Sequence, residues 1–502
     1  MILLFAGFAA PAATNFSASV SFADVSAAIN NSSPGDTVII PPGTAAWSAP
    51  MALAGVSLLG SGTNQTIITD NLDRNVNTQP PLIFLHNATN FFEIGNFQIV
   101  PGNTTKNWHG IIASDMAGPC RIHHIFFNQV NDKNIMLYGA NQTLIDHCCF
   151  YLKGNEGVLV RDTGYGDASW ASPMNFGRQN VACIEDCIFT NVLVGPSSVS
   201  LDAEAGARIV FRYNTVLNNL WANHGTESGA RLRGCRSFEV YSNTFAMDPT
   251  WSFPYAMSIR SGSGVIFGNT VTGVKYLTGI VNYRDGEKFD PWGGADGYSA
   301  WDNVIATNVI SGQHTGANSV NYLEVSSANW TVNQWVGYTV VNHDFSGPTW
   351  NFSTIYSNSA TRIFYNPSKD NGSMTFSAGQ HFELNQIYPM LDQPGVGSGD
   401  LIVGDQQPWG PNPTLAGYGV AKWPHQVSDP IYAWSNSLNG SPGKIGSDFP
   451  NIKEGRDFFN DLPKPGYTPL IYPHPLSSVA VVGGGTGGGT SLQPPERVWV
   501  QF

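Results

Sequence analysis

Two short stretches carry charged residues at matching positions. In SLDAEAG (200–206) and ARLRGC (230–235), Asp202 and Arg231 each lie twelve residues before an asparagine, Asn214 and Asn243. Glu204 and Arg233 lie ten before the same asparagines. With Leu201, Ala203, Ala230 and Leu232 facing inward, strand alternation sends all four charges outward on adjacent strands. MSIRSG adds Arg260 to the column and VNYRDG adds Arg284, while Asp115, Tyr138 and Arg178 are expected near its N-terminal end. The expected column is Glu204–Arg233–Arg260–Arg284, with Asp202–Arg231 beside it.

Arginines stacked about 5 Å apart repel one another unless anions lie between them. Their forked donors fit carboxylates and sulfates. An acidic glycan lying across the strands is therefore the expected partner. Arg233, Arg260, Glu204 and Asp202 are the candidate catalytic groups. His224 and Glu227, in WANHGTESG, form a candidate acid/base pair on a neighbouring loop. Arg231 and Arg284 would hold substrate together with the aromatic faces of Trp221, Tyr283 and Trp251. Asp202 and Glu204 also offer the carboxylate pair that glycoside hydrolysis needs. A plainer reading stands beside these: outward charges on strands pair across the ladder, and Glu204 with Arg233 is then a structural ion pair.

What must position these residues is a repeat. The phrase apolar-x-apolar-x-Asn/Cys-x-Phe/Val recurs as RIHHIFF (121–127), LIDHCCF (144–150), CIEDCIF (183–189), IVFRYNTV (209–216), FEVYSNTF (238–245) and VIFGNTV (265–271), with a degenerate VIATNVI at 304–310. Alignment places His124, Cys148, Cys187, Asn214, Asn243, Asn269 and Asn308 in one column. Strands repeated in this way stack as parallel coils about 4.8 Å apart, and inward asparagines pair their amides from coil to coil. Cys148 and Cys149 alternate inward and outward, so packing explains them better than redox chemistry. Cys183 and Cys187 lack the second ligand pair of a zinc site, and no metal site is expected.

FADVSAAIN (22–30) has helical periodicity and suits a cap on the open end of such a coil. GDTVIIPPG (35–43) and VSLLGSGTNQTIITD (56–70) read as the first strands. These phrases, with the N-T-F repeats after them, resemble the pectate-lyase-like right-handed parallel β-helix superfamily over about residues 20–312. The resemblance implies an all-β solenoid with an N-terminal capping helix. It implies no single activity, because the superfamily holds lyases, hydrolases, epimerases and phage tailspikes. Its lyases neutralise a uronate with Arg or Lys, often with Ca²⁺ held by carboxylates. No aspartate cluster marks such a calcium site here.

The expected division is a signal-like or docking arm (1–20), the β-helix (21–316), a small β module (317–405), a Pro- and aromatic-rich wrapping or capping segment (406–476), and a Gly-rich linker with a tail (477–502). Residues 2–13 resemble a secretory signal with an Ala10-Pro11-Ala12 site but lack its basic start. No apolar run reaches membrane-spanning length. A net charge of −12 and the lack of basic runs argue against nucleic acid as partner. Two functions fit: an extracellular polysaccharide-recognising protein that cleaves acidic glycans as a lyase or hydrolase, or a phage virion appendage, a homotrimer by analogy with tailspikes, that binds host glycans without strong catalysis.

Overall fold

The structure is a computed structural model. It describes residues 12–73, 80–86, 90–102, 111–115, 118–130, 133–139, 142–153, 156–161, 174–192, 198–204, 206–224, 234–248, 250–251, 253–280, 310–336, 338–347, 352–365, 373–386, 396–398, 427–446, 452 and 454–479. The chain is a right-handed parallel β-helix. Each coil contributes to three parallel ladders. One runs through Gln142–Asp146, Ala182–Glu185, Arg208–Arg212, Ser237–Tyr241 and Ser263–Phe267. A second, reached across a sharp corner, runs through Cys149–Leu152, Ile188–Asn191, Thr215–Leu217, Thr244–Ala246 and Thr270–Thr272. The third is a nine-stranded sheet that includes Ile135–Tyr138, Glu156–Arg161, Val199–Glu204, Leu220–Ala222 and Tyr255–Ile259. Among the described residues no helix is long and apolar enough to cross a membrane.

The corner explains the repeated phrase. Asn96, His124, His147, Asp186, Tyr213, Ser242, Gly268 and Ser435 occupy it in successive coils, all with φ between 48° and 64°. Asn, Asp, His and Gly tolerate that left-handed backbone best. The residue after the corner turns inward. Asn214 Nδ2 donates to Asn243 Oδ1 at 3.1 Å, Asn243 Nδ2 to Asn269 Oδ1 at 3.0 Å, and Asn269 Nδ2 to Asn436 Oδ1 at 2.9 Å. Each Oδ1 also accepts the backbone N–H of the previous asparagine.

This ladder corrects the expected column twice. The pairing Phe126↔Cys149 puts Ile125, not His124, level with Cys148, and His124 is itself the corner residue. At the other end the ladder continues to Asn436; Asn308 lies outside the described residues. Cys148 and Cys187 fill inward positions before the first ladder asparagine, and Cys149 is half-buried facing outward. Inside the barrel, Phe127, Phe150 and Phe189 stack at 5.0 and 4.5 Å.

The helix Phe22–Asn30 forms where its periodicity places it. Ser21 caps its first turn by accepting from Asp24 N–H, and Val25 and Ile29 join the main core. Farther along, Ile310–Gln386 forms a six-stranded sheet whose pairs are antiparallel, with its own core of Leu323, Val340, Ile355, Ile363, Phe376 and Leu384. The β-helix then resumes. Ile431–Trp434 pairs in parallel with Ser263–Phe267, and Phe458–Asn460 pairs with Ile431–Trp434. Part of the segment expected to wrap the helix or cap its end pairs as further coils. Wrapping is left to the residues beyond. Arg212 donates to the carbonyls of Leu470 at 2.5 Å and Ile471 at 2.9 Å, Tyr467 bonds Glu239, and His474 N–H donates to Glu185.

Candidate functional site

On the nine-stranded sheet, pairing sets Tyr138 beside Arg161 and Arg161 beside Glu204. Leu201 pairs with Trp221, and Ala222 with Ser258, so continuing the register brings His224 and then Arg260 next to Glu204. Alternation turns Leu137, Val160 and Ala203 into the core, where all are fully buried, and sends the column outward. Asp202 lies in the outward row beside it, level with Leu159.

The charges in this column are paired. Arg161 Nε lies 2.5 Å from Glu204 Oε1. His224 Nδ1 is bonded to Asp202 Oδ2. Lys133 Nζ stands 3.5 Å from Glu156 Oε2, at the other edge of the same face. Asp202 and Glu204 are buried, whereas His224, Arg161 and Arg260 are half-exposed. Burial, reinforced by the Asp202 charge, pushes the Glu156 carboxyl up to about 7 against the pull of Lys133. Burial also raises the Tyr138 phenol despite Arg161 beside it. The face therefore presents a carboxyl near its neutral point, a phenol that keeps its proton, an aspartate-anchored imidazole and guanidinium groups.

Sequence reasoning placed Asp202, Glu204, Arg260 and Tyr138 on this face, and the structure has them there. It missed Arg161, although GVLVR alternates as SLDAE does, because that region read as an excursion between coils. Arg178 is displaced: it is exposed beside Gly177, whose N–H donates to Glu239 on another face. His224 belongs to the column itself instead of overhanging it. Trp221 is a correction: its side chain is fully buried, edge-on to Phe238 at 5.5 Å, and offers no face to a sugar. The expected offset failed because the ladder partner of Val199–Glu204 is Leu220–Ala222, which precedes 230–235. Trp251 is half-buried, tilted against Phe253 at 5.7 Å and packed on the core. Arg231, Arg233, Glu227, Tyr283 and Arg284 lie outside the described residues; neighbouring Gly234 bridges Glu204. Lys133 and Glu156 sit at strand starts, where no pattern singled them out.

Calcium does not fit the described carboxylates. Glu156 and Glu204 each face a cationic side chain and Asp202 the His224 imidazole, and the three are not among the ligand groups that converge within 4.8 Å in the described residues.

No protein-family model matches the sequence, and no curated protein matches it. Solved structures similar to this chain include an alginate lyase from Paenibacillus sp. str. FPU-7, 14% identical over 54% of this chain and 91% of that one, with a TM-score of 0.34. A PL6 alginate lyase in complex with a trisaccharide is 13% identical over 56% of this chain and 62% of its own, at 0.33. The A-module of a mannuronan C-5 epimerase from Azotobacter vinelandii is 15% identical over 52% and 94%, at 0.24. The architecture rests on the ladder register described above.

Proposed function

We propose that the chain is an extracellular glycan-active protein that cleaves a uronate-bearing polysaccharide by β-elimination on the face carrying Tyr138, Arg161, Glu204, His224 and Arg260. The observation that carries this reading is the side-by-side placement of a phenol, an anchored imidazole and two guanidinium groups on one outward column. Arg161 and Arg260 would neutralise the uronate carboxylate, which acidifies the C5 proton. His224, held through Nδ1 by Asp202, would take that proton at Nε2. The C5–H electron pair becomes the C4=C5 double bond, the C4–O4 bond breaks, and O4 receives the Tyr138 proton. Glu204 holds Arg161 in place, and Glu156 sets the charge at the edge of the site. Arg233 and Glu227 keep their proposed catalytic roles, and Arg231, Arg284 and Tyr283 their proposed substrate-binding roles.

The test is a panel of alginate, pectate and glycosaminoglycan incubated with wild type, Arg161→Ala and His224→Gln, followed by the ultraviolet absorbance of unsaturated uronates. The expected result is an absorbing product from the wild type and a loss of at least 100-fold in rate in either variant. Chain shortening without that absorbance would overturn elimination in favour of hydrolysis. Binding without cleavage would leave a glycan-gripping appendage, and neither would remove the site.

A further inference from the structure

A second cluster lies on a different face, where two corner residues are histidines. His124 and His147 follow one another at the left-handed corner, with their rings stacked at 4.9 Å and only 2° apart. The Asp146 carboxylate stands beside them. One ligand atom from each of His124, Asp146 and His147 lies within 4.8 Å of the other two. The ring of His124 is held from behind. His147 Nδ1 bonds Asp146 Oδ2 at 2.7 Å, and His124 Nδ1 faces His123 Nδ1 at 3.0 Å. His124, fixed through Nδ1, presents Nε2, whereas at His147 the ion would take the place of the proton shared by Nδ1 and Asp146 Oδ2. Asp146 is fully buried and anchored by Arg121, whose Nε and terminal nitrogen reach its two oxygens at 2.8 and 2.7 Å. Arg121 and His147 occupy three of the roughly four acceptor positions of a carboxylate and leave one.

We propose that His124, His147 and Asp146 form a site for a borderline divalent transition ion of the Zn²⁺ or Co²⁺ class. Two imidazoles and one carboxylate match that class and are too nitrogen-rich for Ca²⁺ or Mg²⁺. The His147 side chain is 35% exposed, which gives the ion an entry path and lets the ring hinge toward His124. The Arg121 charge opposes the ion, so the affinity expected is micromolar rather than that of a closed structural site. The site is separate from the proposed catalytic face and does not depend on that reading.

The test uses the full chain and Co²⁺, read by its visible absorption in titration and displaced by Zn²⁺. His124→Asn and His147→Asn are the variants of choice, because Asn tolerates the left-handed corner and should leave the fold intact. The expected result is one ion per chain, with each variant weakening binding at least tenfold. His224→Gln, which alters the histidine on the other face, should bind Co²⁺ as the wild type does. Cu²⁺ bound to the wild type should show hyperfine coupling to two nitrogens, a readout that needs no variant. Unchanged affinity in both asparagine variants, loss of binding in His224→Gln instead, or no binding to the wild type at millimolar Co²⁺ would each overturn the proposal.

Discussion

Asn243→Ala tests the asparagine ladder that links the coils holding His224 and Arg260. Asn243 Oδ1 accepts from Asn214 N–H at 2.9 Å and from Asn214 Nδ2 at 3.1 Å, while its Nδ2 donates to the Phe211 carbonyl at 2.9 Å and to Asn269 Oδ1 at 3.0 Å. Truncation leaves the buried Asn214 N–H without that acceptor, a cost of about 2 kcal/mol. The other three groups keep a partner or a second lone pair: Asn214 Nδ2 still reaches the Ile184 carbonyl, and Asn269 Oδ1 still accepts Asn243 N–H. Each lost bond there costs roughly 0.5–1 kcal/mol, so the sum is about 4 kcal/mol. A solenoid need not unfold in one step, so the assay is native-state hydrogen exchange read by mass spectrometry, which reports the local opening. By the relation of 1.36 kcal/mol per decade, exchange of the Asn214 amide should quicken about 10³-fold. A peptide spanning 30–40, six coils away along the ladder, should exchange as before. Acceleration of less than tenfold at Asn214 would show that the asparagine stack is a by-product of the corner and does not hold the coils together.

Glu156 makes stability fall as pH rises. Its folded carboxyl holds a proton up to about 7, whereas the unfolded one releases it near 4.5, so the folded chain binds more protons between those values. Thermal melts should show up to about 3 kcal/mol lost across that window in the wild type, and Glu156→Gln should lack that part. Arg212→Ala leaves the buried Glu185 without its 2.6 Å partner and frees the carbonyls of Leu470 and Ile471. A loss of about 3–5 kcal/mol is expected, with limited proteolysis cutting first near 462–479. Trp221→Ala should cost about 3–5 kcal/mol in melts because its ring is wholly buried; a change in glycan affinity at unaltered stability would contradict its place in the core.

Reading the coil from sequence worked because a parallel β-helix repeats its local rules. From His147 onward each corner is a left-handed residue followed by an inward Cys or Asn, and the repeated phrases record that pattern five times. The one-residue error at His124 arose because His both tolerates the corner and resembles a ladder residue in the aligned phrase. The resumption of the helix at Ile431–Trp434 could not be read, because 167 residues separate Asn269 from Asn436 and no local pattern spans such an insertion.

The sequence by itself determined which face of each strand is buried, since alternation follows from the pleat, and so it could place Asp202, Glu204 and Arg260 outward. Only the tertiary structure decided which strands are neighbours. The loops of the nine-stranded sheet vary in length, so sequence spacing does not transmit register from one coil to the next. Pairing Val199–Glu204 with Leu220–Ala222 turned Trp221 inward and brought His224 into the column. Pairing Glu156–Arg161 on the other side brought Arg161 against Glu204. The histidine cluster likewise exists only because the coil sets one corner directly above the next.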